Sequence, residues 1–310
     1  MRKFIGHSNI ISSFEKRVNE GNLSHAHLIV GEDGIGKSNL ARIFALKILG
    51  KEDNKEYIDI INYKSQKSSF GVDEVRGIID EVNKKPFEGD KKVIIIYQGN
   101  KLTTQAQNAL LKTIEEPPKG VFIILLCESL ELILDTIKSR CQIYKLTPIS
   151  KNEIVKYIGE IRSDINESEL LASIAYSEGI PGKAERFLMD VRLKELRELL
   201  LDLLKSLSIN DGEVLLNFEE KMLNYKDNKE EILNILASFI RDLMVYKEVY
   251  DYSVIINGDK IEELKQLSME MSYKKLNSLL DKIKEARINL ISNSNFAITI
   301  RVMLIGFMEV

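Results

Sequence analysis

The chain has 310 residues, enough for two or three compact units at roughly 100–200 residues per domain. Hydrophobic residues make up 44% and charged residues 29%, which excludes a disordered chain. The formal net charge of −3 excludes a protein that grips nucleic acid alone by neutralising phosphates, and two cysteines, Cys127 and Cys141, exclude a disulfide framework.

Taken in chain order, the first half alternates short apolar runs with helix-period segments. The runs at 27–30, 57–61, 93–97, 121–126 and 142–146 are expected to form a five-stranded, buried parallel sheet. Between them, 38–49 places Leu40, Phe44 and Ile48 on one helical face and stops at Gly50. Residues 72–83 and 103–114 read likewise, the latter capped by Thr103 and ended by Glu115-Glu116-Pro117-Pro118. This is an α/β domain over residues 1–148. The pairs Ser150/Glu153 and Asn166/Glu169 have capping-box spacing and open a small helical subdomain at 149–205, which includes Gly179-Ile180-Pro181-Gly182. Helical periodicity then runs on through an all-α domain at 206–310, where Ile232, Leu236, Phe239, Leu243 and the run 296–307 read as helix core.

One motif carries chemistry. Gly31-Glu32-Asp33-Gly34-Ile35-Gly36-Lys37-Ser38 fits G-x-x-x-x-G-K-[ST] between an apolar run and a helix. Gly31, Gly34 and Gly36 let the backbone curl, and the amides through Ile35, Ser38 and Asn39 at the helix start favour phosphate. Lys37 is expected to reach the β and γ phosphates and Ser38 to ligate Mg²⁺, so ATP or ADP with Mg²⁺ is the expected ligand. Hydrolysis also needs a carboxylate at a neighbouring strand end. There the chain reads Tyr97-Gln98-Gly99-Asn100, without an acid. Asp90 precedes that strand and Glu115 follows the next helix.

Several stretches resemble the AAA+ clamp-loader subunits of bacterial DNA polymerase III: 23–28 leading into the P-loop, Asn108-Ala109-Leu110-Leu111-Lys112-Thr113-Ile114-Glu115-Glu116-Pro117-Pro118, Ser139-Arg140-Cys141, Gly179 to Ala184, and Asn293-Ser294-Asn295. The resemblance implies a P-loop AAA+ domain, a helical lid and an all-α C-terminal collar. Where that family carries Asp-Glu-Ala-Asp, this chain has Tyr97-Gln98-Gly99-Asn100, and Cys127-Glu128 stands where a polar sensor residue is usual. Lys183 takes the place of the sensor 2 arginine, keeping the charge without the planar fork. The cysteines of the family's zinc module are missing, so no zinc or other resident metal is expected.

For Arg140 the resemblance implies an arginine finger acting in trans on a neighbouring subunit. An isolated Ser-Arg-Cys would read as an arginine paired on its own surface. The flanking matches favour the finger. The implied partners are the gamma/tau ATPase subunits, the delta subunit, the sliding clamp and primed DNA, in the cytoplasm and without a membrane. Two other readings are an active ATPase motor of the same machine, which would need a strand-end acid, and a P-loop small-molecule kinase, which would need an Arg-rich lid. His7, His25 and His27 fit packing or backbone hydrogen bonding better than metal binding. The lysines at 84–85 and 91–92 fit a solvated loop better than a DNA contact.

Overall fold

The structure is a computed structural model that describes residues 4–53, 55–65, 67, 69–207, 212–249 and 254–309, with 212–216 described by backbone alone. The described chain divides into two compact units, Met1–Glu160 with Gly179–Gly182, and Ile161–Glu178 with Lys183–Val310.

In the first unit α1 (Ser8–Asn19) precedes β1 (Ala26–Val30), α2 (Lys37–Ile48), β2 (Ile60–Tyr63), α3 (Val72–Val82), β3 (Lys92–Ile96), α4 (Thr104–Glu115), β4 (Val121–Cys127), α5 (Asp135–Lys138), β5 (Gln142–Lys145) and α6 (Lys151–Ile161). All pairings are parallel, in the order β2-β3-β4-β1-β5. Every residue of β1 and β3 is buried, because helices cover both faces of the sheet. On one face Leu28, Ile94 and Ile96 pack with Val75, Ile78, Leu110 and Ile114 of α3 and α4. On the other, Ile29, Ile95 and Ile124 meet Phe14, Leu40 and Phe44 of α1 and α2.

The expected helix signals act as read. Thr103 accepts the Ala106 amide at 3.2 Å, and Ser150 and Glu153 cap one another through 2.9 and 3.4 Å bonds. The second strand differs from expectation. It begins at Ile60, not Tyr57, because the buried Asp59 carboxylate accepts the Phe87 and Glu88 amides at 2.7 and 2.9 Å, and Ile58 is left exposed. Lys92 does not belong to a solvated loop. Its Nζ is buried against Glu81 at 3.1 Å and donates to the carbonyls of Glu81 and Lys84 at the end of α3.

His27 lies in an aromatic cluster with Phe14, Phe44 and Tyr144, where Phe14 and Phe44 stack with ring centroids 3.6 Å apart. Its Nδ1 is 3.4 Å from the Tyr144 hydroxyl and its Nε2 has no hydrogen-bond partner. Burial pushes its pKa down to about 4 from the ordinary 6.5. The folded state therefore refuses a proton that the unfolded chain accepts below pH 6.5. Stability is expected to fall by roughly 3 kcal/mol as pH drops from about 6.5 to about 4, with no further loss from this group below that window. Urea unfolding of His27→Phe should lack that part of the pH dependence.

The second unit contains α7 (Glu167–Ser177), α8 (Pro181–Met189) from Lys183 onward, α9 (Val191–Ser206), α10 (Gly212–Leu223), α11 (Lys229–Glu248), α12 (Ile261–Glu270), α13 (Tyr273–Ile291) and α14 (Phe296–Met308). Its core joins Leu196 and Leu200 of α9, Ile232, Leu236 and Phe239 of α11, Ile283 of α13, and Ile300 and Phe307 of α14. The run at 296–307 is not all core. Ile298, Val302 and Ile305 are 64%, 56% and 50% exposed on the outer side of α14, and Ile288 and Ile291 are exposed on α13. No helix among the described residues is long and apolar enough to cross a membrane.

Candidate nucleotide site

In a parallel sheet the carboxyl ends of all strands share one edge, and ligands gather there. At that edge β4 stands between β1 and β3, with Val30 in register with Cys127. The chain leaving β1 is fixed on both sides: the Gly31 amide donates to Cys127 O at 3.2 Å, and the Leu146 amide donates to Val30 O at 2.7 Å. A Cβ at Gly31 would lie 2.8 Å from Leu146 O, so that position has no room for a side chain.

Gly34 and Gly36 have φ of 80° and 109°, which L side chains rarely adopt. Ile35, 3% exposed, anchors the curl into the core beneath. Gly36 is the N-cap of α2 and offers no side-chain cap, so the amides of its first turn are free to receive an anion. Ser38 and Asn39 are exposed on that turn. Lys37 folds back and its Nζ donates to the carbonyls of Gly31 and Glu32 at 2.6 and 2.8 Å. Burial pushes the Lys37 ammonium below its ordinary pKa, while Asp33 and Glu128 oppose that shift. The glycine-lined curl and uncapped helix start fit the phosphates of a nucleotide.

The end of β3 is built differently from a metal-holding strand end. Tyr97 Oη donates to Asn62 Oδ1 at 3.1 Å, Gln98 takes a positive φ of 56°, and Gly99 turns tightly against β4. A Cβ at Gly99 would meet Leu125 Cδ1 at 2.8 Å. Asn100 Nδ2 donates to Glu128 Oε1 at 3.4 Å. A cleft of about 140 Å³ between the P-loop and this turn is lined by Asp33, Lys37, Ser38, Lys64, Asn100 and Glu128, among others. Among the described residues no group of three or more His, Cys, Asp or Glu side chains could hold a metal ion. Ser38 is therefore the P-loop's own candidate for Mg²⁺, which, accompanying a bound nucleotide, would neutralise phosphate charge.

Sequence reasoning did not place Glu128 in this cleft. It weighed Asp90, Glu115 and the end of β3 for the acid, and Glu128 stood out only as a departure at a sensor position, whereas the sheet order inserts the end of β4 between β3 and the P-loop. No local pattern signals it, because β4 lies beside β1 only through a pairing of strands that are not consecutive in the chain.

Gly179-Ile180-Pro181-Gly182 is pinned to the same loop. The Gly182 amide donates to Gly34 O at 2.9 Å, Gly179 O accepts the Ile149 amide at 2.8 Å, and Ile180 is buried in the P-loop core. A Cβ at Gly182 would lie 2.7 Å from Gly34 Cα. Gly182→Ala is thus expected to displace the P-loop, lowering stability by about 1–3 kcal/mol and weakening nucleotide binding. Gly159→Ala in α6, with nothing within 4 Å of its added Cβ, should instead be neutral or stabilising in the same thermal melts.

Lys183 follows on α8, within the second unit, where its Nζ pairs with Glu178 at 2.8 Å. A larger cleft of about 720 Å³ in that unit is lined by Tyr176, Lys183, Arg186 and Glu231. Arg186 there already bonds Glu231 and Asp190 at 2.7 and 3.1 Å. Arg140 lies just past α5, 38% exposed, with its Nε paired to Glu115 at the end of α4 and its Nη1 donating to Thr136 O at 2.8 Å. His25 Nε2 is 3.2 Å from Ile114 O.

A five-stranded parallel sheet with a P-loop motif at its carboxyl edge, flanked by helices and followed in the chain by a helical unit, defines a P-loop fold of the AAA+ class. Family models described as DNA polymerase III, delta subunit, and as its C-terminal part match residues 6–150 and 191–308. The delta-prime subunit of DNA polymerase III from Bacillus subtilis is 24% identical over 296 residues, 90% of this chain and 89% of that protein. The gamma subunit from Buchnera aphidicola (subsp. Acyrthosiphon pisum) is 33% identical over 194 residues, 56% of this chain, and the match spans 54% of that protein's own length. A DNA polymerase III gamma subunit-related protein from Thermotoga maritima superposes over 96% of this chain and 98% of its own with a TM-score of 0.57 at 18% identity, a likeness of fold. The chain belongs to the delta-prime clamp-loader family of DNA polymerase III.

Proposed function

We propose that this chain is a non-motor, delta-prime-type subunit that helps a bacterial clamp loader place the sliding clamp on primed DNA. The observation that carries the reading is a complete P-loop beside a β3 end, Tyr97-Gln98-Gly99-Asn100, that has no carboxylate. Such a site holds phosphate through the loop amides and Lys37 but lacks, at the end of β3, the acid that orders Mg²⁺ and water for hydrolysis.

Catalysis in this reading is given to a neighbour. Arg140 presents a permanently charged fork that stabilises charge developing on the γ-phosphate in the adjoining motor subunit. In the structure its Nε pairs with Glu115 and its Nη1 donates to Thr136 O, so in this reading the guanidinium leaves that surface pairing to reach a neighbour's phosphate. Residues 1–148 serve as the nucleotide domain, 149–205 as the lid with Lys183 as its phosphate-sensing cation, and 206–310 as the collar. The apolar stripe Ile298, Val302 and Ile305 on α14 supports the collar role, since an exposed contiguous apolar face suits a subunit interface. The partners are the gamma/tau and delta subunits, with clamp and primed DNA reached through the complex, in the cytoplasm.

Two observations favour an active motor instead: Glu128 brings a carboxylate into the cleft, and the gamma-subunit relative is more identical in sequence over its match than the delta-prime one. The two readings separate on ATP turnover by the purified chain and on clamp loading by the reconstituted complex. The non-motor reading expects loading that depends on this chain and no turnover by the chain alone. Appreciable turnover that Lys37→Ala abolishes would overturn it.

A further inference from the structure

Glu128 is an exposed residue that lines the cleft. It follows Cys127, whose carbonyl accepts the amide of the first P-loop residue, Gly31, at 3.2 Å. It therefore projects from the strand lying between the P-loop and the turn at 97–100. Its Oε1 accepts from Asn100 Nδ2 at 3.4 Å, and it shares the cleft with Lys37, Ser38, Asp33 and Lys64. The two lysines face two carboxylates, so this phosphate site has no formal surplus of positive charge. Lys37, the cation a P-loop directs at the β and γ phosphates, is engaged by its own loop through the carbonyls of Gly31 and Glu32.

We infer that Glu128 is a specificity-determining residue that excludes nucleoside triphosphate from this chain's own P-loop, by opposing the γ-phosphate and offering Lys37 a resident counter-charge. A carboxylate and a phosphate that share one cleft repel one another, though the exposure of Glu128 moderates the effect. The γ-phosphate, which lies farthest along the loop toward Lys37, bears most of that repulsion, and a diphosphate bears less. The alternative role, a carboxylate that helps hold Mg²⁺ with Ser38, would instead make Glu128→Gln weaken ATP binding. The inference deepens the nucleotide-site reading of the loop at 31–38 and rests on it.

Titration calorimetry with ATP and with ADP, each with Mg²⁺, on the full chain tests it. Glu128→Gln keeps the acceptor for Asn100 and removes the charge. It is expected to tighten ATP binding by at least about tenfold and ADP binding by less. Adding Lys37→Ala to that variant should abolish the gain, and Glu128→Asn should share it at an unchanged melting temperature. Unchanged or weaker ATP binding by Glu128→Gln, an equal gain for ADP, or no nucleotide binding by either protein would overturn the inference. None of these outcomes bears on clamp loading by the reconstituted complex, so failure here and failure of the non-motor reading remain distinguishable.

Discussion

Arg140→Ala, assembled with the motor and clamp-opening subunits, is expected to leave the complex intact and to slow ATP hydrolysis at the adjoining site by about 10³-fold. Arginine fingers supply charge only in the transition state, so the loss should appear in the single-turnover rate with little change in ATP affinity. Arg140→Lys should rescue poorly, because an ammonium lacks the fork that meets two phosphate oxygens. Glu115→Gln tests how the arginine is held. It frees Arg140 Nε from its ion pair while leaving the bond to Thr136 O, so an intermediate loss is expected. Clamp loading and single-turnover hydrolysis together check these outcomes, and normal rates with Arg140→Ala would contradict the finger role.

The second large effect is on stability. In the helical unit Arg197 is 4% exposed and donates from Nη1 and Nη2 to both oxygens of Asp259 at 2.8 and 2.9 Å. Its Nη2 also donates to Asn257 Oδ1 at 3.0 Å, and its guanidinium lies over the Phe187 ring at 4.4 Å. Asn257 in turn donates to Asp242, which is fully buried and also accepts the amides of Ile256 and Asn257. This network ties α9 and α11 to the segment that precedes α12. Arg197→Leu leaves Asp259 and Asn257 short of partners and is expected to cost about 3–5 kcal/mol, read as a shift in the urea midpoint.

The sheet and its flanking helices were legible because burial on both faces leaves uninterrupted apolar runs, and Thr103, Ser150 and Asn166 mark helix starts by their chemistry alone. The start of β2 was not, since Asp59 is fixed by amides of residues 87 and 88, a partner no local pattern names. The outward stripe of α14 was hidden by its composition. A helix apolar on most sides gives no sign of which side meets its own unit, and only packing sorted Ile300 and Phe307 from Ile298 and Val302. In the candidate site the P-loop was readable as a motif, with Gly31, Gly34 and Gly36 each explained by a close approach or a positive φ. Glu128 was visible only as a departure from a familiar pattern. Its nearness to Lys37 follows from sheet order, which places together strand ends that are far apart in the chain.

The central claim, a phosphate-binding loop without the means to hydrolyse, is tested most directly by single-turnover ATP hydrolysis with the purified full chain, at saturating Mg²⁺. The account predicts no turnover above that of Lys37→Ala, and clamp loading restored when the same preparation joins its partners. Turnover that requires Lys37 would contradict it.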